Sequence, residues 1–407
     1  MKGNNLIVGL DVGTTKICAI VGEVKTGTLD IIGMGSSSSK GLRKGVVVSI
    51  ENTVESIKKA IREAEIVSGI EIKAVYVGIA GGHINSFPSH GIIAVKEREI
   101  SQRDIDRVVD AAKAVAIPLD REVLHVIPMD FIVDRQNGVK DPKGMSGVRL
   151  EAKVHIVTGA VASVQNLVKC CEKAGLDVID IVLEPLASGE ATLSQDEKDL
   201  GVGIVDIGGG TTDIALFHGG SICYTSVLTL GGSHFTNDVA VGLRTPTHEA
   251  ERIKKKYGCA ILTMANPEEE IDVVYAGHRP HRKIPRRYLV EILQLRAEEL
   301  FELVKEEIRK GSGSNVIASG IVLTGGAALM EGMDSLAENI LELPVRVGNP
   351  AGIEGLKDIV NSPMYATGVG LVLYGAKDIR SEQVFKEGNL FQGILNRMKE
   401  WVDGIFK

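Results

Sequence analysis

The stretch "GIVDIGGGTTD" (203–213) sets an apolar run against a glycine-threonine turn with an aspartate at each end. A relative of it lies near the N-terminus: "LIVGLDVGTTKICAIVGE" (6–23) beside "VGIVDIGGGTTDIALFHGG" (202–220). Each copy has an apolar strand, an aspartate, glycine, two threonines and a second β-type run. The copies stand about half the chain apart, which predicts two similar domains facing each other. Glycine lets the backbone approach a phosphate closely and aim N–H groups at its oxygens. Gly13, Gly208, Gly209 and Gly210 supply that approach, and Thr14, Thr15, Thr211 and Thr212 can add hydroxyl donors. Lys16 adds a cation to the first turn, and Asp213 closes the second. Asp11 and Asp206 would repel phosphate directly, but at strand ends they suit the water shell of Mg²⁺. Two such hairpins closing from opposite sides would clamp a nucleotide's phosphates and metal. The plainer alternative is a pair of tight turns without a ligand; the repeated aspartate and paired threonines weigh against it. No GxxxxGK[ST] or GxGxxG stands at either turn, and each leads into a strand, so neither is a Walker loop.

The totals agree. A chain of 407 residues exceeds one ordinary core and predicts two or more domains. Hydrophobic residues at 44% and charged residues at 24% describe a soluble globular protein. A net charge of −7 gives no global field for nucleic acid. Five cysteines in no CxxC or zinc spacing read as reduced packing residues. The first apolar run ends too early for a signal peptide, and no run reaches the roughly 20 residues that span a bilayer. The expectation is a cytoplasmic chain.

A third element completes the clamp. "NVIASGIVLTGGAALMEGMDSLAENI" (315–340) reads as a strand, a Gly325-Gly326 turn and a helix with Leu329, Met333, Leu336 and Ile340 on one buried face. Paired glycines there, with Ala327 beside them, would admit a flat base or ribose. Together these three elements resemble the actin, Hsp70 and sugar-kinase ATPase superfamily. "VLEPLASGEA" (182–191) and "YATGVGLVLYG" (365–375) resemble its two connecting segments. The resemblance implies an α/β, actin-like ATPase fold, with two duplicated α/β lobes around a nucleotide cleft that takes ATP and Mg²⁺. It also implies a water-orienting role for Glu184, in the position of the Hsp70 Glu-Pro, with Asp206 as the second catalytic candidate. Otherwise Glu184 is an ordinary helix-cap acid.

The insertions select a branch. "SQRD" (101–104) opens a helix with a capping pattern, followed by Ile105, Val108, Val109 and Ala112 on one face. Then "VLHVIPMDFIVDRQNGVKDPKGMSGVRLEAKVHIVTG" (123–159) gives strands flanking a Gly/Pro/Asp-rich turn, a small α+β unit. Its run of His125, Pro128, Asp134, Gln136, Asp141, Pro142, Gly144, Met145, Gly147, Arg149, Leu150, Glu151 and His155 closely resembles the cell-division actin homologues of the FtsA family. "LGGSHFTNDVAVGLRTPTHEAERIKKKYG" (230–258) resembles the start of that family's second insertion. On that resemblance Gly231 and Gly232 join the nucleotide set, and Glu251, Lys254 and Lys255 take the positions that approach the adenosine. The expected organisation is a first lobe of residues 1–82 and 164–200, interrupted by an insertion at 83–163. A second lobe of 201–228 and 313–380 is interrupted at 229–312. A linker (381–388) and an amphipathic helix (389–407) follow.

Two surfaces carry the partner expectations. "HRPHRKIPRRYLVEILQLRAEELFELVKEEIRK" (278–310) begins basic and turns amphipathic and acidic, and without aromatic partners it reads as a solvated face. In the FtsA family the corresponding subdomain receives the acidic, apolar C-terminal tail of the tubulin-like FtsZ. The resemblance therefore makes Arg286, Arg287 and Arg296 candidates to meet its carboxylates. In "NLFQGILNRMKEWVDGIFK" (389–407), Leu390, Phe391, Ile394, Leu395, Met398, Trp401, Val402, Ile405 and Phe406 fall within an arc of roughly 160° on a helical wheel. Either this helix packs on its own protein or it lies in a membrane interface. The only Trp, two Phe and the preceding polar stretch favour the membrane, as does the family's C-terminal anchor. The resemblance then implies a cell-division protein, peripheral on the cytoplasmic face of the inner membrane at the division site. It would polymerise there, tether FtsZ filaments, bind other divisome proteins through residues 83–163, and hydrolyse ATP slowly or not at all. An Hsp70-like chaperone would need a β-rich peptide-binding domain after the ATPase core. A sugar kinase would be permitted by Asp11-Gly13-Thr14-Thr15 alone. A pilus-assembly relative lacks the 123–159 run and the terminal helix.

Overall fold

The apolar runs beside each glycine-threonine turn fold back on each other. In the computed structural model, which describes residues 5–25, 28–274, 282–313 and 317–385 (378–385 by backbone alone), Leu6–Val12 pairs antiparallel with Lys16–Val24, and Val202–Ile207 with Thr212–His218. Nearly every residue of these four strands is buried, so their sequences read as continuous Val/Ile/Leu runs. The first sheet runs Asp177–Leu183, Ala74–Ile79, Leu6–Val12, Lys16–Val24, Leu29–Ser38, Glu354–Gly355. The second runs Val345–Val347, Ile321–Thr324, Val202–Ile207, Thr212–His218, Ser221–Leu228. In both, the leading hairpin strand has a parallel neighbour on its other side, and a third antiparallel strand extends the hairpin. The repeat seen in the turns is thus a repeat of topology, in the actin-like α/β arrangement.

Two helices, Glu184–Thr192 and Ala366–Phe385, cross in contact between the sheets. Gly370 makes that crossing possible, since a Cβ there would lie 1.8 Å from the Ala187 carbonyl oxygen. Between Ala74–Ile79 and the helix Val161–Ala174 the chain builds a separate antiparallel sheet in the order Asn85–Ala94, Arg149–Ala160, Arg121–Val133, Gln136–Val139. Its helix Gln102–Lys113 carries the capping box expected from "SQRD". Asp104 N–H donates to Ser101 Oγ (3.4 Å) and Ser101 N–H to Asp104 Oδ2 (3.1 Å). Val108 and Ala112 are buried, with Ile105 and Val109 packed partly against the same core. The second insertion holds helices Gly232–Gly242, Thr247–Tyr257 and Arg286–Ser312 and a short strand pair. Its apolar residues Phe235, Leu289, Leu300 and Phe301 share one core with Val205 and Ile207 of the second sheet.

Two expectations need correction. The chain after Gly325 does not enter one helix. It makes a 3₁₀ turn, Gly326–Leu329, and starts the helix Met333–Leu341 only after Gly332 has taken φ = 78°, so Leu329 lies outside the helix and is 54% exposed. The second concerns the linker. The helix Ala366–Phe385 extends five residues into the stretch read as 381–388, because residues 381–385 contain neither glycine nor proline. The apolar set Leu390 to Phe406 lies outside the described residues. Among the described residues no helix is long and apolar enough to cross a membrane.

Candidate nucleotide site

Each hairpin closes by one backbone bond across its turn: Gly13 N–H to Lys16 O (3.0 Å), and Gly208 N–H to Thr211 O (3.0 Å). Register then decides what faces each aspartate. Asp11 lies opposite Cys18, whereas Asp206 lies opposite Asp213. The second hairpin therefore carries one more acid. The turns meet across the cleft: a Cβ on Gly209 would lie 2.4 Å from Thr15 Cγ2, and one on Gly210 would lie 2.5 Å from Thr14 Oγ1.

Asp206 is the point where the elements converge. Ser188, on the first crossing helix, donates to Asp206 Oδ2 at 2.5 Å, and Thr367, on the second, donates to the same oxygen at 3.0 Å. The two hydroxyls are 3.1 Å apart. Gly325 sits against the other oxygen, where a Cβ would lie 2.4 Å from Asp206 Oδ1, and its φ of 85° favours glycine independently. Two strands, two helices and the third glycine turn are thereby tied to one carboxylate.

The electrostatics are acidic and buried. Burial pushes Asp11 up to about 6, with Lys16 opposing and Asp206 reinforcing the shift. Burial and then the Asp206 charge push Asp213 up to about 8. Burial raises Asp206 as well, against the hydrogen bonds from Ser188 and Thr367 and the charge of Lys16. Glu184, the first residue of its helix, is held well above the usual carboxylate range by burial and by Asp11, Asp213 and Asp206. Asp213 Oδ1 is buried without a hydrogen-bond partner. A cluster of this kind favours a cation among its members. No three acidic, His or Cys side chains among the described residues form a direct metal-ligand set.

The remaining sequence candidates divide. Thr14 Oγ1 accepts from Gly45 N–H (3.0 Å) and keeps its own proton to donate. Thr212 does not: fully buried, it donates to Leu230 O (2.8 Å) and serves the hairpin instead. Lys16 reaches the Met364 carbonyl and lies 4.3 Å from the Tyr365 ring centroid. Gly231 and Gly232 start a helix on the second turn, with Gly232 N–H donating to Gly208 O (2.9 Å) and Ser233 N–H to Gly209 O (2.8 Å). Lys254 donates to Gly232 O (2.9 Å) and Thr236 Oγ1 (2.8 Å) and pairs with Glu251 at 2.7 Å. Gly232 in turn faces Ala327, whose Cβ is 3.7 Å from a Cβ placed there. Lys255 pairs with Glu251 at 3.2 Å with its side chain 73% exposed. Ser188 and Thr367 were missed; their only sequence trace is a small hydroxyl residue within each crossing segment.

The three arginines are not equivalent. Arg286 is committed internally, donating to Tyr257 O (2.8 Å), Glu269 (2.9 Å) and Glu331 (2.9 Å). Arg287 is exposed and, among the described residues, pairs along its own helix with Glu291 (3.3 Å). Arg296 pairs with Asp238 and Glu299 at the rim of a groove of about 460 Å³, which Asn237, Val241, Ile292 and Leu295 also line.

Comparison with known proteins agrees with this architecture. Residues 203–370 match the family described as "Cell division protein FtsA", and residues 81–158 match "SHS2 domain inserted in FTSA". The curated protein "Cell division protein FtsA" of Pseudomonas aeruginosa is 50% identical, covering 100% of this chain and 99% of its own. That of Neisseria meningitidis is 44% identical over 98% of each chain. Among solved structures, a "PilM-PilN type IV pilus biogenesis complex" chain aligns with a TM-score of 0.67 at 18% identity, over 91% of this chain and 98% of that one. MreB5 of Spiroplasma citri bound to ADP aligns with a TM-score of 0.55 at 16% identity, over 95% and 99%. These structures share the fold. With the duplicated hairpins, an inserted sheet within the stretch that matches the SHS2 domain of that family, and 50% identity to a relative aligned over 99% of its length, the chain belongs to the FtsA family of cell-division proteins.

Proposed function

We propose that this chain binds ATP with Mg²⁺ between its two hairpins, assembles with its own copies on the cytoplasmic face of the inner membrane, and tethers FtsZ filaments there. The observation that carries the nucleotide reading is the convergence on Asp206. The carboxylate orders both crossing helices and the Gly325 turn beside a buried acidic cluster that favours a cation. Asp11 and Asp206 would hold Mg²⁺ through water. Gly13, Gly208, Gly209, Gly210, Thr14, Thr15 and Thr211 would take the phosphates. Glu251, Lys254, Gly231, Gly232 and Gly325 to Ala327 would take the adenosine, with Lys255 at the rim. The metal, when bound, neutralises phosphate charge. Glu184 is held above the normal carboxylate range by burial and by the neighbouring acids, the direction in which a carboxylate becomes a better proton acceptor, and it would orient the attacking water.

The FtsZ tail would dock in the groove beside Arg296, where Val241 and Leu295 offer exposed apolar surface, with the exposed Arg287 further toward the start of the same helix. Reversing Arg287 and Arg296 together should weaken binding of the tail peptide severalfold in fluorescence anisotropy; unchanged affinity removes both from the interface. Residues 389–407 would lie in the lipid interface, and residues 83–163 would meet other divisome proteins. The membrane and nucleotide readings are tested together by ending the chain at Gly388. Calorimetry should record Mg²⁺-dependent ATP uptake by both forms, while flotation should find only the full chain on liposomes. Liposome binding by the shortened chain refutes the anchor, and absence of ATP uptake refutes the cleft.

A further inference from the structure

The inserted subdomain leaves and rejoins the first lobe, and besides its contact with that lobe through His125 and Leu183 it makes polar contacts with the second. Ser86 Oγ donates to the Thr225 carbonyl at 2.9 Å, and His155 Nε2 lies 3.0 Å from Thr225 Oγ1. Ser86 pairs with Val157 and His155 with Pro88 in the inserted sheet, so both side chains leave its same face and converge on one residue. The junction is buried: His155 is 1% exposed and Thr225 7%. A third approach lies at the end of the same strand, where a Cβ on Gly82 would be 2.7 Å from Thr229 Cγ2.

Thr225 is in Ser221–Leu228, hydrogen-bonded along its length to Thr212–His218. Thr225 lies opposite Ala215, Val227 opposite Asp213, and Leu228 opposite Thr212. The strand that the inserted subdomain grips is therefore laddered to the residues that form the second turn. The two turns are themselves in contact through Thr14, Thr15, Gly209 and Gly210. A triphosphate held between them requires those residues to separate. The second turn cannot shift without the strand laddered to it, and that strand bears on a subdomain rooted in the other lobe.

We infer that Thr225 is a coupling point at which nucleotide between the turns alters the inserted subdomain, through Ser86 and His155. This rests on the nucleotide reading above. Occupancy of the cleft then changes a surface that touches no nucleotide, a linkage between two sites through one shared, hydrogen-bonded strand.

Hydrogen exchange on the full chain, with and without Mg²⁺ and a non-hydrolysable ATP analogue, tests it. Segments 85–94 and 149–158 should change exchange severalfold on nucleotide addition in the unmodified chain and in Thr225→Ser, which keeps the hydroxyl. Thr225→Val and His155→Phe should lose that response while calorimetry shows nucleotide affinity altered by less than about threefold. A response that persists in both, or one absent from the unmodified chain while nucleotide binds, overturns the coupling and leaves the junction as packing. If calorimetry finds no uptake at all, the nucleotide reading fails first and the coupling with it.

Discussion

Asp213 faces Asp206 where the first hairpin has only Cys18 opposite Asp11, and this difference has a measurable consequence. Asp213 is pushed to about 8 from an ordinary 3.8, so in the folded chain it keeps a proton that the unfolded chain has released. A carboxyl raised on folding costs stability as pH rises from its unfolded pKa through its folded one. Asp11, raised to about 6, acts in the same direction over a narrower window. Two histidines act oppositely. His125, whose Nε2 accepts from Leu183 N–H at 3.0 Å, and His155 are both lowered by burial to about 4. Each withholds stability as pH falls from the unfolded His value through about 4, up to roughly 3 kcal/mol. Above the unfolded His value of about 6.5, the upper edge of the window in which the histidines titrate, only the raised acids still act, so the nucleotide-free chain should lose stability as pH rises further. Above it, the urea midpoint of the unmodified chain should fall, and that of Asp213→Asn should fall less, since an amide has no proton to lose. Equal slopes above the window would show that Asp213 ionises as an ordinary aspartate. Because the acids oppose one another, Mg²⁺ with ATP should flatten the same limb.

Helix crossings set two opposing effects of glycine against each other. In a helix interior, alanine is better than glycine by about 1 kcal/mol. At Gly370 the added Cβ would lie 1.8 Å from the Ala187 carbonyl oxygen and 2.3 Å from its carbon, contacts that only backbone movement could relieve. Overpacking of that kind costs about 1–3 kcal/mol and occasionally more, so the clash wins. Gly370→Ala should lower the urea-derived stability by at least about 1 kcal/mol and, by parting the helices that carry Ser188 and Thr367, should loosen Asp206. A variant as stable as the parent would place that crossing elsewhere. The same scale explains what could be read in advance. The hairpins, the capped helix at 101 and the strands flanking the Gly/Pro/Asp-rich turn are local patterns, legible because their causes lie within a few residues. The helix expected straight after Gly325 failed locally too: the periodic apolar residues ran through Gly332, whose positive φ ends one turn before the next element begins. Ser188, Thr367 and Asp206 come together from three distant segments, and the partners of Arg286, Glu269 and Glu331, lie in two others. Such clusters are products of the fold and leave no spacing to find.

At the scale of the molecule, attachment and assembly are expected to depend on each other. In residues 389–407, Arg397, Lys399 and Lys407 are offset by Glu400 and Asp403, a net charge of +1. Anionic lipid contributes about 1 kcal/mol per basic residue near the surface, so so small a net charge leaves the apolar face as the main source of affinity. One short helix binds a bilayer reversibly. Many on one polymer bind jointly, with avidity gains of about 10² to 10⁴. Lipid binding should then be steep in protein concentration, because assembly must come first. It should also be weakly dependent on salt: raising NaCl from about 0.1 to 0.5 M shortens the screening length from about 10 Å to less than half that. A polybasic anchor would lose most of its binding under that change, whereas this chain should lose less than about twofold in a flotation assay. Shallow concentration dependence would show that single copies attach by themselves. A salt loss of tenfold would show that charge holds the chain on lipid in place of Trp401 and its neighbours.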